Sequence, residues 1–318
     1  MTTDILIEAL HYGLEQFSAS KAPVCVLNAS GHELEGWDKQ SYLANISVKN
    51  TIKSDYNTIL VRATRQTDET LGFLAMAVSH LAPNGTILIA QENRLGASSL
   101  ERAASAGFVD VASISKFKCR ILQLKKPKTD ILKSWAAKAQ IQKNPEGLWS
   151  APGLFSWDRP DLGSQLLLQH LPHILTGAGA DLGCGYGYLT TSLVKCRGVT
   201  SVTGVDLDSR AIECTRRNLE ESDLPFAHDV LWRDVTTMTD LKNLDWVIMN
   251  PPFHTQLDED RNLGQKFCNA ALKMLKSGGN LYLVANRHMP YEAVLNAQAS
   301  RVTVLADERG FKILHASV

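Results

Sequence analysis

Asn250, Pro251, Pro252 and Phe253 stand directly after the apolar run "LDWVIM", with His254 behind them. The run has the length and composition of a buried strand, and the prolines end it, because they bring no N–H to a ladder. Asn250 offers an amide oxygen and Pro251 a carbonyl, and the proline rings fix where those oxygens point. Two acceptors converging on one point suit a group with two N–H bonds, an amino group. Phe253 adds a flat apolar face for an aromatic ring. An amino group conjugated to a ring is a poor nucleophile until its N–H bonds are held out of the ring plane, which localises the lone pair. Toward a methyl already activated as a sulfonium, such positioning supplies most of the rate. His254 reads as a hydrogen-bonded loop histidine at least as readily as a base.

A second constellation lies upstream. "DLGCGYG" places Gly183, Gly185 and Gly187 between a strand and a helix, where they permit a tight turn and leave bare main chain for a ligand. The spacing is G-x-G-x-G, not the G-x-G-x-x-G of dinucleotide sites. Asp181 before the turn can bind an ammonium but would repel a pyrophosphate. Spacing and charge together favour S-adenosylmethionine over NAD. Asp206, ending the strand "TGVDLD", can accept both ribose hydroxyls, and Asp208 competes as a helix cap. Asp234 in "LWRDV" can accept an adenine amino group, and its competing reading is a surface-loop acid.

The elements that must position these residues alternate between strand and helix, the pattern of α/β units around a mostly parallel sheet. "GADLGC", "SVTGVDLD", "FAHDVLW", "LDWVIM", "NLYLVA", "VTVLA" and "FKILHAS" read as strands. The helix after "DLGCG" is "GYLTTSLVKC"; "SRAIECTRRNLEES" opens at Asp208 or Ser209; "GQKFCNAALKML" is closed by Gly278 and Gly279. The first half echoes the second. "LAPNGTILIAQENRLG" parallels "LKSGGNLYLVANRHMP", "FKCRIL" parallels "FKILHA", and "YNTILVRATRQ" falls opposite "LDWVIMNPPFH", at a shared offset near 190 residues. The reading is two copies of one domain, against the alternative of two unrelated sheets. The first copy has "VCVLNASG" for the glycine turn and "RATRQ" for "NPPFH", so it is expected to keep the fold without the site, as a folding partner, substrate platform or dimer surface.

Lys116, Lys118, Arg120, Lys125, Lys126, Lys128, Lys133, Lys138 and Lys143 face a single acid, Asp130, between the copies. Lys125, Lys126 and Lys128 are the candidate phosphate contacts in this run; a solvated linker face is the competing reading. The boundaries expected are 1–125 for the degenerate domain, 126–150 for a basic linker and 151–318 for the catalytic domain. Net charge is zero over 318 residues, which argues against a nucleic-acid binder charged over its whole surface. The N-terminus carries Asp4 and Glu8 and resembles no targeting signal. No apolar run approaches the roughly 18 residues of a membrane span. The six cysteines include no C-x-x-C pair, so neither a disulfide framework nor a metal site is expected, and a cytoplasmic setting is.

The combination "DLGCGYG … GVDLD … RDV … NPPF" resembles class I S-adenosylmethionine-dependent methyltransferases of the amino-group type. "PGLFSWDRPDLGSQLLLQHLP" and "VANRHMPYEAVL" extend the resemblance to bacterial ribosomal RNA guanine-N2 methyltransferases, nearest the small-subunit (16S) methyltransferase C family. It covers the C-terminal half in sequence and the N-terminal half in architecture. It implies two tandem Rossmann-like class I domains with mostly parallel seven-stranded sheets, the N-terminal copy degenerate. It implies that Phe155 and Ser156 line the cofactor pocket, and that Asp181, Gly183 and Gly185 hold the methionine end of S-adenosylmethionine. Asp206 would take the ribose, Asp234 the adenine end, and Asn250, at the edge of the cofactor, would bind the guanine amino group with Pro251 while Phe253 stacks on the base. The implied partner is ribosomal RNA or the 30S subunit, the implied state a monomer, with a dimer left open. The chain departs from the pattern in "TGAGADLGCG", which is poor in apolar residues for a central strand, in the tryptophan of "FSWD" and in "RHMP". A large-subunit rRNA enzyme, a protein-glutamine methyltransferase and a non-catalytic RNA-binding assembly factor are the alternatives. Tyr in place of Phe253 is usual in the glutamine enzymes, and four intact polar positions speak against the non-enzyme.

Overall fold

The computed structural model describes residues 5–19, 24–28, 41–43, 55–252 and 262–318. The chain divides into two compact units, Met1–Gln140 and Ile141–Val318. Phe253 and His254 lie outside the described residues.

The first unit runs α1 (Ile5–Gln16), β1 (Val24–Leu27), β2 (Ser41–Leu43), β3 (Tyr56–Arg62), α2 (Thr67–Ser79), β4 (Leu81–Glu92), α3 (Ala97–Gly107), β5 (Phe108–Lys116), β6 (Cys119–Pro127) and α4 (Thr129–Lys138). Its strands lie in the order β2-β1-β3-β4-β6-β5. β6 runs antiparallel to both neighbours and the other pairs are parallel. Both faces are covered, so the central strands read as unbroken apolar runs rather than alternating ones. Ile59, Val61, Ile87 and Ile89 face Phe73, Leu74, Leu100, Leu132 and Trp135. Leu60, Leu88 and Ile121 face Leu6, Ile7 and Leu10 of α1.

This corrects two expectations. The sheet of the first unit has six strands among the described residues, not seven. Residues 126–140 are not a linker: they finish β6 and form α4, whose Leu132 and Trp135 are buried in the first core. Gly107 has no side chain because the Trp135 ring fills that volume. The lysines of this stretch mark the wet face of a packed strand and helix.

The second unit opens with a small ribbon, β7 (Gln142–Lys143) and β8 (Trp149–Ser150). It continues α5 (Leu162–His170), β9 (Ile174–Leu182), α6 (Tyr188–Ser192), β10 (Arg197–Asp206), α7 (Ser209–Glu221), β11 (Ala227–Trp232), β12 (Leu244–Met249), α8 (Leu263–Met274), β13 (Leu275–Asn286), α9 (Tyr291–Asn296), β14 (Arg301–Glu308) and β15 (Phe311–Ser317). The seven-stranded sheet has the order β11-β10-β9-β12-β13-β15-β14 and is mixed, with β15 antiparallel to its neighbours. The chain moves outward from β9 through β10 and β11, then returns to lay β12 on the other side of β9. That reversal opens a crevice at the carboxyl ends of β9 and β12, where open α/β sheets bind ligands.

β12 is buried as its sequence requires. Val247 and Met249 enter one core with Leu281 and Leu283, while Trp246 and Ile248 enter the other with Leu167 and Val284. The apolar-poor β9 is explained by Trp246. Gly179 is its register partner, and a Cβ at Gly179 would lie inside the indole. The bulk missing from β9 comes from its neighbour. Gly278 and Gly279 do not close α8; the helix ends at Met274 and both glycines lie in β13. Among the described residues no helix is long and apolar enough to cross a membrane.

Candidate functional site

The glycine turn sits at the crevice. Gly183, Gly185 and Gly187 have φ of 74°, 56° and 85°, a region open to glycine without strain. The N–H groups of Gly183 and Cys184 donate to the Val205 carbonyl at 2.8 and 3.0 Å, folding the turn against β10. A Cβ at Gly185 would meet nothing within 4 Å, so the main chain there is open on its outer side.

Asp181, on β9 two residues before the turn, is wholly buried. Its Oδ2 accepts from the Thr190 hydroxyl at 2.6 Å, and its Oδ1 is buried with no partner among the described residues. Burial pushes its pKa up to about 7; the Thr190 hydrogen bond opposes this and the Asp206 charge adds to it. A buried carboxylate oxygen without a partner is unstable as it stands and suits a cationic donor.

Asp206 ends β10 and braces the turn. Oδ2 accepts from the Gly185 N–H at 2.8 Å and Oδ1 from the Asp208 N–H at 2.9 Å. Burial raises its pKa, with backbone hydrogen bonds opposing. Each oxygen keeps a further lone pair for a ligand hydroxyl. Asp208 is the N-cap of α7, accepting from the Arg210 N–H at 2.8 Å, so the two acids divide the roles between them.

Leu207 is 67% exposed and Trp232 52% exposed, and the indole Nε1 donates to the Leu207 carbonyl at 2.7 Å. They form an apolar ledge beside Asp206, whose register partner is Trp232. The sequence signal for this ledge is an apolar residue, Leu207, directly after a strand-ending acid. Asp234 caps its own turn: Oδ1 accepts from the Thr236 N–H at 2.8 Å and hydroxyl at 2.7 Å. That is the surface-loop arrangement, and it leaves Oδ2 outside the cap.

The segment carrying Phe155 and Ser156 packs against the turn. Ala151 and Leu154 share a core with Tyr186 of the turn and Ala211 and Cys214 of α7. Arg210 Nη1 donates to the Pro152 carbonyl at 3.1 Å, and Asn218 Nδ2 donates to the carbonyls of Trp149 and Tyr186 at 2.9 and 2.7 Å. Phe155 is 62% exposed and Ser156 is left-handed, φ 49°. A non-glycine residue held there marks a constrained spot.

Asn250 follows Ile248, the register partner of Asp181, by two residues. Its Nδ2 donates to Asp161 Oδ2 at 2.9 Å and Ser164 Oγ at 2.8 Å, and its Oδ1 is buried with no partner among the described residues. Pro251 is buried. Asp181 and Asn250 thus bring one unanswered oxygen each to the ends of neighbouring strands. Sequence reasoning missed Asp161 and Ser164, which lie 89 and 86 residues away in the chain.

The three candidate RNA lysines lie in the first unit. Lys125 is the register partner of Asp110, Lys126 pairs with Asp110 at 2.8 Å, and Lys128 Nζ donates to the Ser105 carbonyl at 3.3 Å. The basic run is split along the β5–β6 hairpin. Lys116 and Lys118 flank Phe117 at its tip, and the Lys116 ammonium stands 5.6 Å from the Tyr12 ring centroid. In the same unit the strand ends are answered internally: Asn28 Nδ2 donates to the Arg62 carbonyl at 2.8 Å and Gln91 Nε2 to the Thr64 carbonyl at 2.9 Å.

A sheet of this order, with a glycine turn at its reversal and acids at the ends of successive strands, defines an α/β methyltransferase of Rossmann-like fold. Residues 146–315 match the family described as Methyltransferase small domain. A protein of Shewanella pealeana named Ribosomal RNA small subunit methyltransferase C is 32% identical over 245 residues, covering 75% of this chain and 70% of its own. Its namesake in Acinetobacter baumannii is 29% identical, covering 76% and 74%. In three dimensions the chain is similar to the 16S rRNA N2 G1207 methyltransferase of T. thermophilus, solved with AdoMet and guanosine. That match has a TM-score of 0.75 at 21% identity, over 97% of this chain and 91% of that one. The chain belongs to the methyltransferase small domain family, among its ribosomal RNA small subunit methyltransferase C proteins.

Proposed function

We propose that the protein methylates the exocyclic N2 amino group of a guanine in 16S ribosomal RNA, with S-adenosylmethionine as donor. The observation that carries this reading is the pair of buried, unanswered oxygens, Asp181 Oδ1 and Asn250 Oδ1, at the ends of adjacent strands. One suits the ammonium of an amino acid and the other an amino group awaiting transfer. The relatives named above favour small-subunit RNA.

The residues fit the cofactor. Asp181 takes the ammonium, and the main chain at Gly183 and Gly185 takes the methionine end, with open space beside Gly185. Asp206 accepts the ribose hydroxyls and Asp234 Oδ2 the adenine amino group, with Leu207 and Trp232 as the apolar edge and Phe155 and Ser156 lining the entrance. When bound, S-adenosylmethionine supplies a methyl made electrophilic by a sulfonium. Asn250 Oδ1 and the Pro251 carbonyl accept the two N–H bonds of the guanine amino group and turn its lone pair out of conjugation, while Phe253 stacks on the base. A paired guanine must leave its helix to reach such a site, at a cost of a few kcal/mol. Contacts of Lys125, Lys126 and Lys128 to the RNA backbone would offset part of it.

The first unit reads as a degenerate second copy, a folding or substrate platform. β1, β3, β4, β6 and β5 of its sheet correspond in order and direction to β9, β12, β13, β15 and β14, which supports duplication. A reaction on ribosomal RNA implies a cytoplasmic protein.

The test offers isolated 30S subunits, 50S subunits and naked rRNA with methyl-labelled cofactor, and identifies the modified base by mass spectrometry. Label as N2-methylguanine in 16S rRNA is expected. Label only in 23S rRNA, or on no guanine amino group, sinks the proposal.

A further inference from the structure

Asn250 is held by its nitrogen. Nδ2 donates to Asp161 Oδ2 and Ser164 Oγ, and only Oδ1 is left without a partner among the described residues. Asp161 is the N-cap of α5, and the same Oδ2 accepts from the Ser164 N–H at 2.9 Å. A carboxylate only accepts, so it selects the nitrogen end of the amide; turning the amide over would set oxygen against oxygen. Gly163 lies between the two holders, and a Cβ there would stand 2.9 Å from that Oδ2 and 3.0 Å from the Phe311 ring. The stretch Asp161 to Ser164 therefore meets the Asn250 amide with an acceptor and a hydroxyl, and Gly163 between them leaves that Oδ2 uncrowded.

We infer that Asp161 and Ser164 are positioning residues for the transfer: they fix the Asn250 amide so that it presents the substrate an oxygen and no N–H. Such a site selects a group with N–H bonds to give and disfavours a carbonyl oxygen, so on a guanine it distinguishes the N2 amino group from O6. The substrate side of this inference rests on the amino-group reading above. Because the oxygen that orients the amide also caps α5, the acceptor is aimed only while the first turn of that helix is formed.

Asp161→Ser keeps a good N-cap but is too short to reach Asn250. Its kcat on 30S subunits should fall on the order of 100-fold, with cofactor Kd unchanged within about twofold. Asn250→Asp retains the acceptor but faces Asp161 with a second carboxylate, and should fall comparably. Adding Asp161→Asn to Asn250→Asp returns an N–H to the pair and should recover at least about tenfold. Wild-type kcat in Asp161→Ser, or no recovery in the double variant, overturns the inference. A second readout is independent of turnover. The Asn250 side-chain N–H protons should exchange slowly with solvent by NMR in the wild type and rapidly in Asp161→Ser and in Ser164→Ala; rapid exchange in the wild type overturns it too. If the wild type methylates no guanine amino group, the proposed function falls, and the exchange measurement still decides the role of Asp161 and Ser164.

Discussion

Asp181 and Asn250 carry their chemistry in one buried oxygen each, Oδ1, that has no partner among the described residues, and each can be probed alone. Asn250→Ala removes the oriented oxygen and leaves the turn intact. Methylation should fall by at least about 100-fold, while S-adenosylmethionine binding, followed by calorimetry, stays within about twofold; activity near wild type would refute the role of this strand end. Asp181 gives a pH signature. Its pKa is raised on folding to about 7, mainly by burial. A carboxyl shifted upward stabilises the fold below its unfolded value, near 3.9, and that contribution is lost as pH rises through the folded value. The thermal midpoint of the ligand-free protein should therefore decline from about pH 4 to 7, less so in Asp181→Asn. A bound ammonium reverses the preference, so cofactor affinity should rise with pH through about 7 with release of up to about one proton, measured in buffers of different ionisation enthalpy. The acids were legible because they stand at strand ends beside a glycine turn. Asp161 and Ser164 were not, because a partner 89 residues away leaves no local pattern.

Among the elements, β9 and β12 form the axis of the site, and their fit is complementary in volume. Gly179→Val should push Trp246 out of place and destabilise the second unit by about 1–3 kcal/mol, read as a lowered urea midpoint. A midpoint equal to wild type would mean that the indole has room to move. The strands of the second unit could be read from their apolar runs and caps, and Asp208 begins α7 as its residue type suggests. β9 looked deficient because periodicity reports one strand at a time, and the missing volume belonged to a residue 67 positions away. The end of α8 is hidden for a similar reason: Gly278, at φ 78°, bends the start of β13 rather than closing the helix.

For the molecule as a whole, the chain divides into two compact units, as the sequence suggests, but at Gln140 rather than across a basic linker. Clustered lysines imitate a linker, although the spacing of Leu132 and Trp135 already describes the inner face of a helix. The lysines themselves remain a prediction at this scale. Charge reversal at Lys125, Lys126 and Lys128 together should weaken binding to 30S subunits and flatten its salt dependence. If affinity and salt slope are both unchanged in a filter-binding assay, these three are ordinary surface charges, and Lys116 and Lys118 at the hairpin tip are the next pair to reverse.

The burial of Trp135 against Gly107 also says where the gene can be divided. Two separate polypeptides meeting at Gln140 and Ile141 would each keep every strand and every core side chain of their own unit. A cut at residue 125 would instead strip α4 from the first polypeptide, uncover α2 around Phe73 and Leu74, and burden the second with an indole that has nowhere to go.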